Sequence, residues 1–317
     1  MFPDKRILSF LGLAFGISWT VAGIGLAFGV RATSGIPYTV MAALVMLGPA
    51  LAAIIQQRLL DKAPWSGLGL QLRGTRWSVV AGTACVAVCI VPLTLAVVHV
   101  LGDLLGISAF GMVEVSHERI AIAVRELASG KLAEASIQRQ MERLSTVPAM
   151  FILVFALGAA LIAAMTFNLP FMLGEELGWR GYLWQRTAAW NGARRVGSTG
   201  LVWGLWHAPL IAAGHNYPGE PLLGILMMVL FCSTMALLFD WTRTRSMSIW
   251  SSCLLHGTIN GSAGVTALFM WQGHPLVGSI AGLAGVIAVL VLAAAVLVLD
   301  KNYRRSFLGT TTNDAVH

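Results

Sequence analysis

Charged residues are scarce in this sequence. Asp, Glu, Lys and Arg make up 11% of its 317 residues, whereas hydrophobic residues make up 57%. Soluble globular proteins carry about 25% charged residues, so this chain has too few charges to cover a water-facing surface of its size. The scarcity excludes a disordered chain and a conventional soluble enzyme, and a membrane protein is the class that remains.

Cysteine is also rare. The four cysteines, Cys85, Cys89, Cys232 and Cys253, all lie in apolar runs, and the first two are four residues apart rather than in a CxxC pair. This pattern excludes a secreted disulfide scaffold. It predicts that all four thiols are buried as small hydrophobic groups.

Long apolar runs, by contrast, are abundant. A membrane-spanning helix needs about 20 apolar residues, and eight runs approach or exceed this length, at 7–30, 38–57, 77–101, 148–174, 198–214, 222–239, 247–271 and 276–299. The first run is too long for the apolar part of a cleaved signal peptide, which has roughly 7–15 residues. We therefore expect an all-α, multi-pass membrane protein. Residues 1–317 would form a single integral membrane domain of eight transmembrane helices around an intramembrane polar cavity.

The basic residues indicate an orientation. Of the 21 Lys and Arg residues, 15 lie in the two termini and in the loops on the same side as the termini. Because Lys and Arg are enriched in cytoplasmic loops, both termini are predicted to be cytoplasmic. This asymmetry accounts for the net charge of +7 without a nucleic-acid partner, and the lipid bilayer is the expected surrounding.

One long segment on the opposite side, residues 102–147, looks soluble. It mixes apolar residues with charges of both signs, and this pattern predicts one or two amphipathic helices lying on the outer surface. The simplest interpretation is a solvated cap over the helix bundle, with a partner-binding role as the alternative.

Three polar clusters interrupt the apolar runs, at 175–180, 203–207 and 256–260. Ionisable residues inside a bilayer cost a few kcal/mol each, so they usually mark a functional site. Glu176 and Arg180 are four residues apart, a spacing that predicts an ion pair on one helix face. A fourth polar position, Asp240, lies at a span end and is expected to pair with neighbouring Arg243.

The clusters are also predicted to lie at a similar depth. His207 and His256 are each about ten residues, or roughly 15 Å, from the predicted cytoplasmic boundary. Asn260 follows His256 by four residues on the same helix face, and Glu175 approaches from the same side of the membrane. We expect these four residues to converge in one cavity that opens towards the cytoplasm, whereas His215 and other loop histidines have no assigned role.

At this point the sequence resembles a known family. The motifs are EExxxR (Glu175, Glu176, Arg180), an aromatic-xxx-His motif (Trp203, His207) and HxxxN (His256, Asn260). In this order they resemble the CPBP family, the CAAX-type and bacteriocin-processing intramembrane proteases. The strings GEELGWRGYLWQR and WGLWHAPL are similar to bacterial members, which implies a bacterial cytoplasmic (inner) membrane. The similar core covers 148–269, and Trp203, where many members have Phe, is expected to leave the chemistry unchanged.

The resemblance implies an eight-helix fold that hydrolyses peptide bonds of membrane-associated proteins or peptides. By motif, Glu175 would be the general base that activates water, and His207 would hold or polarise that water. A partly desolvated glutamate is well suited to this task, because desolvation makes a carboxylate a stronger base.

The remaining motif residues take supporting roles by the same resemblance. His256 and Asn260 would form the oxyanion site, donating hydrogen bonds to the tetrahedral intermediate. Preorganised donors of this kind can contribute about 3–4 kcal/mol each. Glu176 and Arg180 would brace the site.

A metal ion is the open alternative. Glu175, His207 and His256 could make a three-ligand zinc site of the kind found in hydrolases. The sequence lacks HExxH, however, and asparagine would be an unusual zinc ligand. Catalysis without a cofactor is therefore favoured, and zinc or another divalent metal is kept as the alternative.

Other classes are less consistent with the sequence. The absence of HExxH excludes site-2-type proteases. The string at 261–264 has the wrong order for the GxSG motif of a rhomboid protease. Asp103 and Asp240 lie at the ends of predicted spans, whereas presenilin-like enzymes need two aspartates inside the membrane. Two functional alternatives stay open: a non-catalytic membrane immunity protein against bacteriocin-like peptides, and a transporter. The substrate's identity, its lipidation and the oligomeric state are not predicted.

Overall fold

The computed structural model describes residues 4–128 and 134–309, and these are mostly helical. The α-helices are α1 Lys5–Ala27, α2 Ile36–Ile54, α3 Trp77–Val98, α4 His117–Ala128, α5 Glu134–Leu144, α6 Ala149–Ala164, α7 Leu169–Glu176, α8 Trp184–Thr187, α9 Gly192–Trp206, α10 Ala208–Ala212, α11 Pro221–Ser246, α12 Ile249–Phe269, α13 Leu283–Leu299 and α14 Lys301–Leu308. Wider π-helical turns, Ile55–Leu60, His99–Leu104 and Leu177–Leu183, continue α2, α3 and α7. Shorter 3-10 turns lie at Ala32–Ser34 and Ser108–Phe110, and two short strands, β1 Met112–Val113 and β2 Met270–Trp271, pair antiparallel.

The predicted helical class is confirmed, but the number of spans is not. Among the described residues, four helices are long and apolar enough to cross a membrane: α1, α2 and α3 with their π-helical continuations, and α11. Two bent pairs, α5 with α6 and α13 with α14, raise the number to six if each pair is one span. α9 has only 15 residues, and α12 carries several polar side chains. Eight spans and cytoplasmic termini therefore stay predictions.

Two predicted spans are broken beside the polar clusters. The run 148–174 divides into α6 and α7, and Asn168 in the break donates its side-chain N–H to the Gly257 carbonyl over 3.2 Å. The run 198–214 divides into α9 and α10 at His207, and Pro209, which has no backbone N–H, lies in the first turn of α10. Hydropathy does not reveal such breaks. A helix in a membrane can break where neighbouring helices satisfy the backbone groups that lose their partners, so the residues around the break can stay apolar.

Close backbone contact positions α9 against α11. A Cβ atom added to Gly200 would lie 2.5 Å from the Ser233 Cα, and one added to Gly204 would lie 2.5 Å from the Val229 Cα. Small residues allow helices in a membrane to approach this closely. The contact places Trp203, between these two glycines, in the wall between α9 and α11.

At the Lys- and Arg-rich end, Asp61 joins the loop after α2 to the segment around α8. Its side chain is 4% exposed and accepts hydrogen bonds from Tyr182, Gln56 and Arg186, while Arg6 lies 3.5 Å away. Burial by itself would raise the pKa of Asp61. The hydrogen bonds and the two arginine charges outweigh it, so the pKa lies below its ordinary value.

The prediction that Asp240 pairs with Arg243 is wrong. Its carboxylate makes a two-point ion pair with Arg195, with N···O distances of 2.5 and 3.0 Å, and accepts a hydrogen bond from Tyr303 over 2.9 Å. Arg243 donates to the Arg180 carbonyl over 2.9 Å instead. Proximity in sequence suggested the neighbour on the same helix, whereas packing brought α9 and α14 onto Asp240.

The burial predicted for the cysteines is wrong for two of them. Cys232 and Cys253 are buried, but Cys85 and Cys89 are exposed on α3. In a membrane protein an exposed helix face contacts lipid rather than water, so a small apolar side chain is stable on that face too.

The outer segment contains α4 and α5. α4 is attached to the end of α12 by Arg119, whose side chain donates to the carbonyls of Ala267 and Met270 over 3.2 and 3.0 Å. The pairing of β1 with β2 ties the same segment to the end of α12. Residues 129–133 of the predicted loop, like 1–3 and 310–317, lie outside the described residues.

Candidate active site

A cavity of about 260 Å³ lies between α2, α7, α9, α11 and α12. All four predicted catalytic residues line it: Glu175, His207, His256 and Asn260. They come from three separate stretches of the chain, so their convergence is produced by helix packing. Most of the remaining lining is apolar, as expected for a ligand pocket with a few convergent polar groups.

Glu175 lies in the last turn of α7 and is 2% exposed. Its Oε2 accepts a hydrogen bond from the indole Nε1 of Trp203 over 3.0 Å. A phenylalanine could not make this contact, so the expectation that Trp203 leaves the chemistry untouched does not agree with the geometry. Nothing in the sequence identified this contact, because Trp203 and Glu175 are 28 residues apart and lie on different helices.

His207 lies at the break between α9 and α10, where the chain turns. Its Nδ1 is 2.8 Å from the backbone carbonyl of Trp203. A carbonyl can only accept a hydrogen bond, so Nδ1 carries a proton and, in the neutral ring, Nε2 is an acceptor. Trp203 thus orients both Glu175, through its side chain, and His207, through its backbone.

Glu176 lies behind the cavity wall rather than in it, and its side chain is fully buried. Its Oε1 accepts from Arg180 over 2.9 Å and from the His256 Nδ1 over 2.8 Å. The Glu176–Arg180 pair predicted from the four-residue spacing is confirmed. The contact with His256, 80 residues further along the chain, was not predicted.

Arg180 is also held by two aromatic rings. Its guanidinium carbon is 4.3 Å from the ring centroid of Trp203 and 3.8 Å from that of Phe239. A desolvated cation over an aromatic face is attracted by the electron-rich face of the ring. Arg180 and Glu176 therefore form a buried framework beneath Trp203 and His256.

His256 and Asn260 project from one face of α12 into the cavity. Because the His256 Nδ1 is engaged by Glu176, Nε2 is the ring nitrogen left for the cavity. Among the residues that the structure describes, the Asn260 amide has one long contact, 3.6 Å from its Nδ2 to the sulfur of Met172. Its N–H groups are therefore available to a stronger acceptor.

Comparison with known protein families gives one match, which covers the segment that carries these residues. Residues 145–262 match the family model of the Rce1-like type II CAAX prenyl endopeptidases. The predicted family resemblance is confirmed. The Rce1-like segment begins just before α6, includes most of α12 and contains every motif residue of the candidate site. No curated protein matches the chain.

The Rce1-like segment does not present a recognisable metal site. Within residues 4–128 and 134–309, no group of three or more His, Cys, Asp or Glu side chains is arranged to hold a metal ion. The Nδ1 atoms of His207 and His256 contact the Trp203 carbonyl and the Glu176 carboxylate, so each ring has its Nε2 left for the cavity. Glu175, His207 and His256 are not grouped closely enough to hold a metal ion as they stand, and both metal-free catalysis and the zinc alternative stay predictions.

The cavity also extends in an unexpected direction. Beyond Asn260 its lining continues to Ala263 on α12, to His215 and Asn216 after α10, and to Ile280 before α13. These residues lie towards the end of the bundle that carries α4, away from the Lys- and Arg-rich end. The lining thus extends towards the end that is predicted to be non-cytoplasmic, whereas the sequence predicted an opening towards the cytoplasm. His215, which had no role assigned from sequence, belongs to the lining.

Proposed function

We propose that this protein is an intramembrane endopeptidase that hydrolyses peptide bonds of membrane-associated proteins or peptides. The observation that carries the proposal is the position of Glu175, a buried carboxylate on the wall of a cavity shared with His207, His256 and Asn260. The match to a peptidase family over 145–262 supports the same reaction class. We further propose the inner membrane of a bacterium as its location.

In the proposed mechanism, Glu175 takes a proton from a water molecule while the water oxygen attacks the carbonyl carbon of the scissile peptide. The Nε2 of His207 accepts the second hydrogen of that water as a hydrogen bond and so orients it. The Trp203 N–H holds the Glu175 carboxylate in place during this step.

Attack moves an electron pair onto the carbonyl oxygen. The Asn260 N–H groups and the Nε2 of His256, when protonated, donate to this developing oxyanion. The tetrahedral intermediate then collapses, the C–N bond breaks, and Glu175 returns its proton to the leaving amine. Glu176 and Arg180 keep His256 and Trp203 in place throughout.

Glu175→Gln tests the proposal, because it keeps the size of the side chain and removes the base. We expect peptides that accumulate in wild-type membranes to be missing from membranes with Glu175→Gln, as measured by comparative peptidomics. Glu142→Gln, the same change at an exposed position of α5, should retain the wild-type peptide pattern. Identical peptide patterns for wild type and Glu175→Gln would contradict hydrolysis and favour the immunity or transport alternatives.

A further inference from the structure

The catalytic cavity continues into two further depressions. A second cavity of about 280 Å³ shares four lining residues with the catalytic cavity, and a third of about 580 Å³ shares four with the second. The shared residues are Asn216, Ala263, Ile280 and Ala281 at the first junction, and Ala267, Met270, Trp271 and Gln272 at the second. Together the three form one groove from Glu175 to the exposed face of α4.

One face of α12 makes the floor of this groove. His256, Asn260, Ala263 and Ala267 follow one another at spacings of three or four residues, and Met270, in β2 just after α12, continues the same wall; all five line one or more of the three cavities. From His256 to Ala267 this face is about 17 Å long at 1.5 Å per residue. An extended polypeptide rises about 3.3 Å per residue, so the helical part of the groove has the length of about five residues, and Met270 and Trp271 extend it further.

The mouth of the groove contains hydrogen-bond donors without acceptors. The Nε of Arg119 and the indole Nε1 of Trp271 are buried and unpaired among the described residues, and both side chains line the third cavity. The Arg119 side chain is only 7% exposed and is held in place by the carbonyls of Ala267 and Met270. Unpaired buried donors favour a ligand that brings acceptors, and an extended peptide offers a carbonyl at every residue.

We propose that this groove binds an extended segment of the peptide substrate, which runs along α12 from Arg119 and Trp271 to Glu175. The inference rests on the proposed endopeptidase function and adds a binding site and a direction of approach. Ala263 and Ala267 leave room for the chain because their side chains are small. The substrate reaches Glu175 from the end of the bundle that carries α4.

Two sets of internally quenched synthetic peptides test the groove, one of about twelve residues and one of about five residues with the same central sequences. The full chain in detergent should cleave the long set at least about tenfold more efficiently in kcat/KM, because only the long peptides fill the groove. Trp271→Phe, which removes the N–H but keeps an aromatic ring, should reduce kcat/KM about fivefold on the long set alone. Ala267→Phe, which fills the floor, should abolish the advantage of length.

Two matched controls test whether the same substitutions away from the groove also change cleavage. Trp184→Phe removes an equally unpaired indole N–H at the other end of the bundle, and Ala159→Phe adds the same bulk on an exposed face of α6. Both should leave the cleavage of both sets unchanged.

Three results would contradict peptide binding in the groove. The first is an equal kcat/KM of the wild type on long and short peptides. The others are wild-type kcat/KM for both Trp271→Phe and Ala267→Phe, or an equal loss of kcat/KM on both peptide sets in these variants. Failure of the proposed function looks different, because neither set would then show cleavage that depends on Glu175.

Discussion

The neighbouring glutamates of the EExxxR motif should respond in opposite ways to the same substitution. Glu176 is fully buried and is paired with Arg180, whose side chain is 3% exposed. Glu176→Gln keeps the shape but removes the charge, and it leaves the arginine buried without its acidic partner. Breaking a buried pair in this way costs about 3–5 kcal/mol, because the remaining charge is uncompensated.

Glu175→Gln should have little effect on stability. Its carboxylate accepts from Trp203 and faces the cavity, and a glutamine oxygen can accept the same hydrogen bond. The substitution also removes a charge from a desolvated position, which is favourable for folding. We therefore expect Glu175→Gln to lose activity at unchanged or higher stability, and Glu176→Gln to lose stability.

Thermal unfolding in one detergent at one scan rate measures the difference. Domains of 150–250 residues lose roughly 2–4 °C in Tm per kcal/mol, so Glu176→Gln should unfold roughly 6–20 °C below the wild type. Glu175→Gln should unfold within about 2 °C of the wild type or above it. The reasoning would be refuted by a similar fall in Tm for both variants, or by an unchanged Tm for Glu176→Gln.

Three further predictions follow from individual contacts. Trp203→Phe should lower kcat/KM about tenfold or more, because a hydrogen bond to the charged Glu175 is lost, and full activity in a cleavage assay would contradict this. Asp61, whose pKa is lowered in the fold, should stabilise the protein above pH of about 4 and progressively less as the pH falls through its folded pKa. Asp61→Asn should thus lower Tm at pH 7 and converge with the wild type in acid, and a pH-independent difference would argue against the ion pairs. In a background without native cysteines, Gln272→Cys should react with an impermeant maleimide on intact cells, whereas Lys62→Cys should react only after permeabilisation; the reverse pattern would invert the predicted orientation.

A spacing of four residues within one helix was a good guide in the sequence, whereas the pair expected from simple proximity, Asp240 with Arg243, did not form. The four-residue spacing predicted the Glu176–Arg180 pair and the common face of His256 and Asn260, because a helix places residues four apart on one side whatever surrounds it. Spacing along one helix could not predict the contacts between helices. The bond from Glu176 to His256 depends on how α7 packs against α12, and apolar periodicity carries no information about that register.

The two helix breaks were also not predictable from the sequence. Hydropathy joined 148–174 and 198–214 into single spans, since the residues at each break are surrounded by apolar neighbours. The structure uses both breaks at the site: α7 begins after the first, and His207 lies at the second. A break next to a buried polar cluster is therefore a better indicator of the site than the apolar run that hides it.

Two expectations from the sequence concern the Lys- and Arg-rich end of the bundle. The distribution of Lys and Arg predicts that both termini and the basic end of the bundle are cytoplasmic, and the depth of the histidines suggested a cavity open to that same side. The groove instead leads from Glu175 along α12 to Trp271 and α4, at the opposite end. If the basic end is cytoplasmic, substrates reach the catalytic carboxylate from the non-cytoplasmic side. Such an enzyme would act on chains that have already crossed the membrane or are anchored in its outer half.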